Sequence, residues 1–174
     1  GRRLCPPKRN EYRRSRKMVK PRFGITLLNH NYMRIISYNV NGIRAAIKKG
    51  FLEWLSSNPA DVICLQEIKA TAEDVDTKLF EKAGYSHYWF SAQKKGYSGV
   101  AVLTKIKPNA VKTGTGHHLS DSEGRVIELQ FGDIKIINAY FPSGTSGDER
   151  QSYKYQWLDE IMDYLKKEKK KNGE

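Results

Sequence analysis

Residues 62–69 read VICLQEIK, four apolar side chains (Val62, Ile63, Cys64, Leu65) running without a break into Gln66, Glu67 and Lys69. A continuous apolar run of this length suits a strand buried on both faces, and its abrupt polar end marks where the chain leaves the core. The stretch therefore predicts a strand over 62–66 inside a layered α/β domain, with a carboxylate at the strand exit. Upstream, residues 34–40 read as another strand, and Ile47, Phe51, Trp54 and Leu55 fall at i, i+4, i+7 and i+8, one apolar face of a helix that Asn58-Pro59 ends. Strand, helix, strand implies parallel pairing of the two strands. Downstream, Thr71 with Asp74 predicts an N-cap opening a helix through Lys82, stopped at Gly84.

Beyond that helix the rhythm changes. Residues 85–91, 99–104, 125–131 and 134–140 read as strands separated by turns, the last two joined by Gly132-Asp133, a two-residue hairpin signal. Tyr153, Trp157, Ile161 and Leu165, at spacings of four, predict a final helix. The sum is a mixed-sheet α/β architecture with helices covering sheet faces.

The 174 residues suffice for one domain with a sizeable core, and 39% hydrophobic content is ordinary for a globular protein. The formal net charge of +12 invites a nucleic-acid reading, but it is unevenly spread. Residues 1–32 hold ten Lys/Arg against Glu11 alone and so supply +9; the other 142 residues carry 21 basic and 18 acidic side chains. Any binding face on the folded part must come from local placement of charge. The leader is expected to be an upstream extension, with Met33 as the natural start; a basic tail for nucleic acid and an organellar targeting segment are the alternatives. Two cysteines, Cys5 and Cys64, offer no disulfide framework and no zinc motif, which fits a reducing, cytoplasmic setting. No apolar run reaches the roughly 18 residues of a membrane span.

Two polar clusters stand at comparable strand ends. SYNVNG sets Asn39 and Asn41 at the exit of the first strand, and LQEIK sets Glu67 and Lys69 at the exit of the second. Parallel neighbours bring these exits together, in the crevice where α/β sheets tend to bind ligands. A carboxylate flanked by amides and a lysine suits Mg²⁺, which takes few protein carboxylates and completes its shell with water and phosphate oxygens. Zinc is disfavoured, since His and Cys ligands are missing from both clusters.

Five segments, MRIISYNVNGIRAA, PADVICLQEIK, KKGYSGVAVLTK, EGRVIEL and NAYFPSGTSGDER, resemble in order and spacing the exonuclease III type of apurinic/apyrimidinic endonuclease within the endonuclease/exonuclease/phosphatase superfamily. The resemblance implies a four-layered αββα sandwich and Mg²⁺-dependent hydrolysis of DNA phosphodiesters, with Mn²⁺ as a substitute metal. The implied substrate is double-stranded DNA with abasic sites or 3′ ends, and the implied activities are abasic-site endonuclease, 3′–5′ exonuclease and 3′-phosphatase, in a monomer that is not bound to membranes.

Carried over by position, the resemblance makes Glu67 a metal ligand, with Asn39 in the metal shell or orienting the catalytic groups. Tyr140 becomes the active-site tyrosine beside the attacked phosphate. Lys69 and Arg150 become phosphate contacts, Tyr97 part of a loop that meets DNA, and Asn41 either a site residue or half of an Asn-Gly turn. Arg125, after Glu123-Gly124, also matches the family, with bracing of the sheet as its other reading, and His117 and His118 are solvated loop residues rather than the catalytic histidine. The chain departs from the family in lacking its later GDxN and SDH motifs, on which water activation relies. Residues 33–174 are therefore expected to be an N-terminal portion without its C-terminal half, inactive alone. That half is expected to provide the second sheet, so that strands 62–65 and 134–138 lack apolar cover here and the fragment associates. A non-catalytic DNA-binding fragment and a phosphatase for small phosphoesters are the other readings.

Overall fold

The computed structural model describes residues 32–144 and 147–171, so all of the basic leader except Tyr32 lies outside the described residues. Strand β1 (Ile35–Asn39) is followed by helices α1 (Ile43–Lys48) and α2 (Phe51–Ser57), then by β2 (Val62–Gln66), a 3₁₀ turn (Ala72–Asp74) and α3 (Lys78–Lys82). Next come β3 (Ser86–Phe90), β4 (Val100–Thr104), β5 (Ala110–Thr113), α4 (His118–Ser122), the hairpin β6 (Val126–Phe131) and β7 (Ile134–Ala139), and the long helix α5 (Asp148–Lys171).

One sheet has the order β1-β2-β4-β3, and a second has the order β5-β6-β7. β1 and β2 are parallel, Ile35 opposite Val62 through Asn39 opposite Gln66, so their exits coincide as the strand ends required. All other pairings are antiparallel, and Phe131 opposite Ile134 closes the hairpin around Gly132-Asp133.

Strand alternation distributes the core into three seams, and these define the layers. Ile63 and Leu65 face Ile43, Phe51, Leu55 and Phe80 from the helices. Val62, Cys64, Val100 and Val102 turn the other way and meet Ile127, Leu129, Phe131 and Ile136 of the second sheet. The outer face of that sheet packs Val126 against Trp157, Ile161 and Tyr164 of α5. The order helix, sheet, sheet, helix is the αββα sandwich. At about 1.5–3 kcal/mol for each fully buried large apolar side chain, these seams are its main stabilising term.

Several expectations need correction. The second sheet is not wholly outside this chain: β5–β7 supply it, and Val62, Ile63, Cys64 and Leu65 are all buried beneath it or beneath the helices. The first predicted helix is two helices, because Gly50 adopts φ 95° and turns the chain between Lys48 and Phe51. Thr71 and Asp74 do form a capping box, but it closes only one 3₁₀ turn; extended backbone at Val75 delays α3 to Lys78. The sequence reading had no counterpart for β5 and α4, both short. His118 starts α4 and so is not a loop residue, whereas His117, in extended backbone just before it, is one as expected. In α5 the buried line runs Trp157, Ile161, Tyr164, Glu168, and Leu165 is exposed. A strict spacing of four drifts off a 3.6-residue face, and a step of three restores it.

Candidate metal and nucleic-acid site

The peculiar end of VICLQEIK is a main-chain device. Glu67 (φ 58°) and Lys69 (φ 52°) lie in the left-handed region on either side of Ile68, which is fully buried. Ile68 thus anchors the turn in the core while Glu67 and Lys69 both project outward, their side chains 2.9 Å apart. Backbone bonds clip this turn to its neighbours: Gly42 and Ile43 donate to the carbonyls of Glu67 and Ile68 at 2.7 and 2.9 Å. Ile68 and Lys69 in turn donate to Gly99 and Ser98 at 3.2 and 2.9 Å. Gly99 is required there, since a Cβ would sit 2.8 Å from Ile68 Cγ1 and φ is 83°.

Asn41 and Ser98, at φ 46° and 47°, are the other non-glycine residues with positive φ among the described residues, and both flank this turn. Such conformations cost about 1–3 kcal/mol each and persist where the surroundings over-determine them, as at binding and catalytic sites.

The side chains form one connected cluster. Lys69 Nζ donates to Asn41 Oδ1 at 2.7 Å and pairs with Glu67, and the Asn41 N–H donates to Asn39 Oδ1 at 3.0 Å. Partial burial pushes the Glu67 carboxyl up, but hydrogen bonds from Lys69, Asn39 and Tyr140 and the Lys69 charge outweigh it, holding the group below its usual range. Burial and the Glu67 charge raise the Tyr140 phenol, so it is a proton-bearing donor at neutral pH. A groove of about 430 Å³, lined in part by Tyr38, Asn39, Asn41, Lys49 and Trp54, opens beside these residues.

Tyr97 and Arg150 belong to an adjoining cluster centred on Glu123. Glu123 pairs with Arg125 at 2.7 Å and with Arg150 at 3.0 Å, and Arg150 Nη2 donates to the Tyr97 hydroxyl at 2.9 Å. Burial raises the Glu123 carboxyl, yet the two guanidiniums hold it below its ordinary value. Arg125, almost wholly buried, joins the clusters: Nη1 donates to the Tyr140 carbonyl at 2.8 Å and the guanidinium lies 4.9 Å over the Tyr140 ring. Of the two readings of Arg125, these contacts are those of a brace. A Cβ at Gly124 would meet the Ser91 carbonyl carbon at 2.5 Å, so the tight Glu123-Gly124-Arg125 corner needs glycine. Lys94 lies 5.5 Å from the Tyr97 ring, extending the basic side of this cluster.

All seven side chains singled out from sequence thus fall into two touching clusters. Glu123 as the partner of both arginines, and the half-buried Gln66 and buried Asn138 behind the site, were not singled out. The signal available for Glu123 was its separation by one glycine from Arg125; nothing comparable marked Asn138.

Residues 36–173 match the endonuclease/exonuclease/phosphatase family, and the chain belongs to that family. It is 43% identical over 134 residues to an exodeoxyribonuclease of Bacillus subtilis, covering 76% of this chain and 52% of that protein. It is 39% identical over 142 residues to a DNA-(apurinic or apyrimidinic site) endonuclease of Dictyostelium discoideum, covering 80% of this chain and 39% of the relative. Among solved structures, a 3′ phosphatase from Neisseria bound to product DNA hairpin superposes with a TM-score of 0.71 at 26% identity, covering 80% of this chain and 53% of that one. The chain spans about half the length, or less, of the relatives it matches.

Proposed function

We propose that this chain carries the Glu67 side of the active site of a Mg²⁺-dependent DNA repair nuclease, hydrolysing phosphodiesters at abasic sites and 3′ ends of double-stranded DNA. One observation carries the reading: a carboxylate at a strand exit, on a left-handed turn, paired with Lys69 at 2.9 Å and set beside the linked amides of Asn39 and Asn41. The names of the exodeoxyribonuclease and abasic-site endonuclease relatives support the substrate class.

Oxygen donors of this kind fit Mg²⁺, and Glu67 with Asn39 would hold it. When bound, the metal supplies neutralisation of phosphate charge. Asn39 steers Glu67 through its amide while its own oxygen is fixed by the Asn41 N–H. Tyr140 keeps its proton and donates toward the charge that develops on the attacked phosphate. Lys69, beside Asn41, and Arg150, beside Tyr97, contribute cations for the flanking phosphates, with the Tyr97 ring as a flat surface for DNA. None of these residues is assigned the base that activates water, so residues 33–174 by themselves are proposed to bind DNA weakly without cutting it. They form the N-terminal portion of the nuclease domain, monomeric at full length and acting in a reducing, cytoplasmic compartment, with residues 1–32 a basic extension.

The test extends this chain to the length of its relatives and compares Mg²⁺-dependent cleavage of an abasic-site duplex with hydrolysis of a soluble phosphomonoester. Preference for the duplex by orders of magnitude is expected; preference for the phosphomonoester would favour a small-molecule phosphatase.

A further inference from the structure

Behind the site, a buried amide links the two sheets. On β7 the side chains of Ile136 and Asn138 point between the sheets, and Tyr140 continues the same alternation at the strand exit. Asn138 is 2% exposed, and its Nδ2 donates to Leu65 O at 3.0 Å and to Ala101 O at 2.9 Å. Leu65 and Ala101 are register partners on β2 and β4, so one side chain of the second sheet grips two strands of the first. Its Oδ1 accepts from Gln66 Nε2 at 2.8 Å, and Gln66 also reaches Ser37 Oγ on β1 at 3.1 Å. Both donors and the oxygen of the Asn138 amide are therefore used, in a seam otherwise built of Val, Ile, Leu and Phe. An apolar side chain of similar volume would pack there without any hydrogen bond to satisfy. Packing alone therefore does not account for an amide at this position.

We propose that Asn138 is a positioning residue, a bolt between the sheets that fixes Tyr140 against Glu67. The geometry is direct: Asn138 stands two residues before Tyr140, and its partners Leu65 and Gln66 stand two and one residues before Glu67. Apolar contacts between sheets are non-directional and tolerate small slides, whereas three hydrogen bonds from one planar group fix the offset between them. The two functional groups come from different sheets, so this offset sets how the Tyr140 hydroxyl meets the Glu67 carboxylate. The functional meaning rests on the nuclease reading above, but the positioning claim does not, and its test uses neither metal nor DNA.

The chain is labelled with 3-fluorotyrosine, and the Tyr140 signal is assigned by its loss in Tyr140→Phe. At fixed neutral pH, Glu67→Gln shifts that signal, and the size of the shift reports how closely the two groups are coupled. In Asn138→Ala most of this response should be lost, and in Gln66→Met, which removes one of the three bonds from a half-buried position, part of it. Ile161→Ala, in the seam under α5, should lower the melting temperature and leave the response intact. A full response to Glu67→Gln in Asn138→Ala or in Gln66→Met would overturn the proposal and make Asn138 an ordinary core residue. Should Asn138→Ala not fold, Gln66→Met decides alone. An extended protein that shows the coupling but no nuclease activity would contradict the proposed function and leave the bolt standing.

Discussion

Two regions of the molecule combine carboxylate, lysine and tyrosine, yet they are built to opposite ends. Under α5, Glu128 and Glu168 meet Lys135 at 3.3 and 2.5 Å, and Tyr164 donates to Glu128 at 2.7 Å. Lys112 lies 4.5 Å over the Tyr164 ring, and Lys171 pairs with Glu168 at 2.8 Å. Glu128 and Glu168 are buried, on a strand and a helix with regular backbone. The Glu67 cluster uses the same chemistry on a left-handed turn at a strand exit, with Lys69 one-third exposed and a groove alongside. The first arrangement closes a seam. The second holds ionised groups at the surface with strained backbone. The difference teaches that residue type does not identify a site; position at a strand end, and a conformation that only surrounding contacts sustain, do.

The sharpest way to break the comparison is to exchange its consequences. Tyr140→Phe in the extended protein should reduce turnover on the order of 10²-fold or more, the effect of removing one transition-state donor, with little change in melting temperature. The mirror substitution, Tyr164→Phe, should leave turnover unchanged; kinetics on an abasic-site duplex reads both. A drop in stability without a drop in turnover for Tyr140→Phe would place Tyr140 with the structural cluster.

Lys135→Met should act in the opposite sense, costing about 2 kcal/mol of stability because Glu128 and Glu168 lose a charged partner in a largely buried seam. Urea denaturation measures it, and Mg²⁺-dependent activity of the folded variant should match wild type.

Acid sharpens the same contrast. Hydrogen bonds from Lys135 and Lys171 hold the Glu168 carboxyl down to about 2. A depressed carboxyl contributes stability above its unfolded value, here 4.5, and loses it as pH falls through about 2. The melting temperature should therefore decline between those limits, and Glu168→Gln should flatten that decline while lowering stability at neutral pH.

The smallest effect is expected at Ser98, whose buried hydroxyl has no partner among the described residues. Ser98→Ala keeps the left-handed backbone and removes a polar group, so stability should rise by up to about 1 kcal/mol.

The sequence made the fold class legible because its strands alternate or run fully apolar, and the seams follow from that parity. What it hid depended on conformation rather than polarity. Gly50 broke a helix that the apolar spacing joined, and the capping box at Thr71 closed a turn too short to propagate. Lys49-Gly50 lies inside a pattern whose apolar residues continue across it, so periodicity alone ran the two helices together. At the site, Glu67 and Lys69 were legible as strand-exit polar residues, but the left-handed turn that projects both outward was not, since nothing in EIK announces positive φ. Asn138 was invisible for a different reason: an amide inside the IINAY strand has no local signature, and its partners lie 37, 72 and 73 residues away.

The central claim, that the Glu67 cluster and not the α5 cluster receives the metal, is tested most directly by Mg²⁺ titration of the ¹⁵N-labelled chain. Saturable shifts are expected at the amides of 39–42 and 67–69, abolished by Glu67→Gln and retained in Glu168→Gln. Shifts centred on Glu128 and Glu168, or shifts at 67–69 that survive Glu67→Gln, would contradict it.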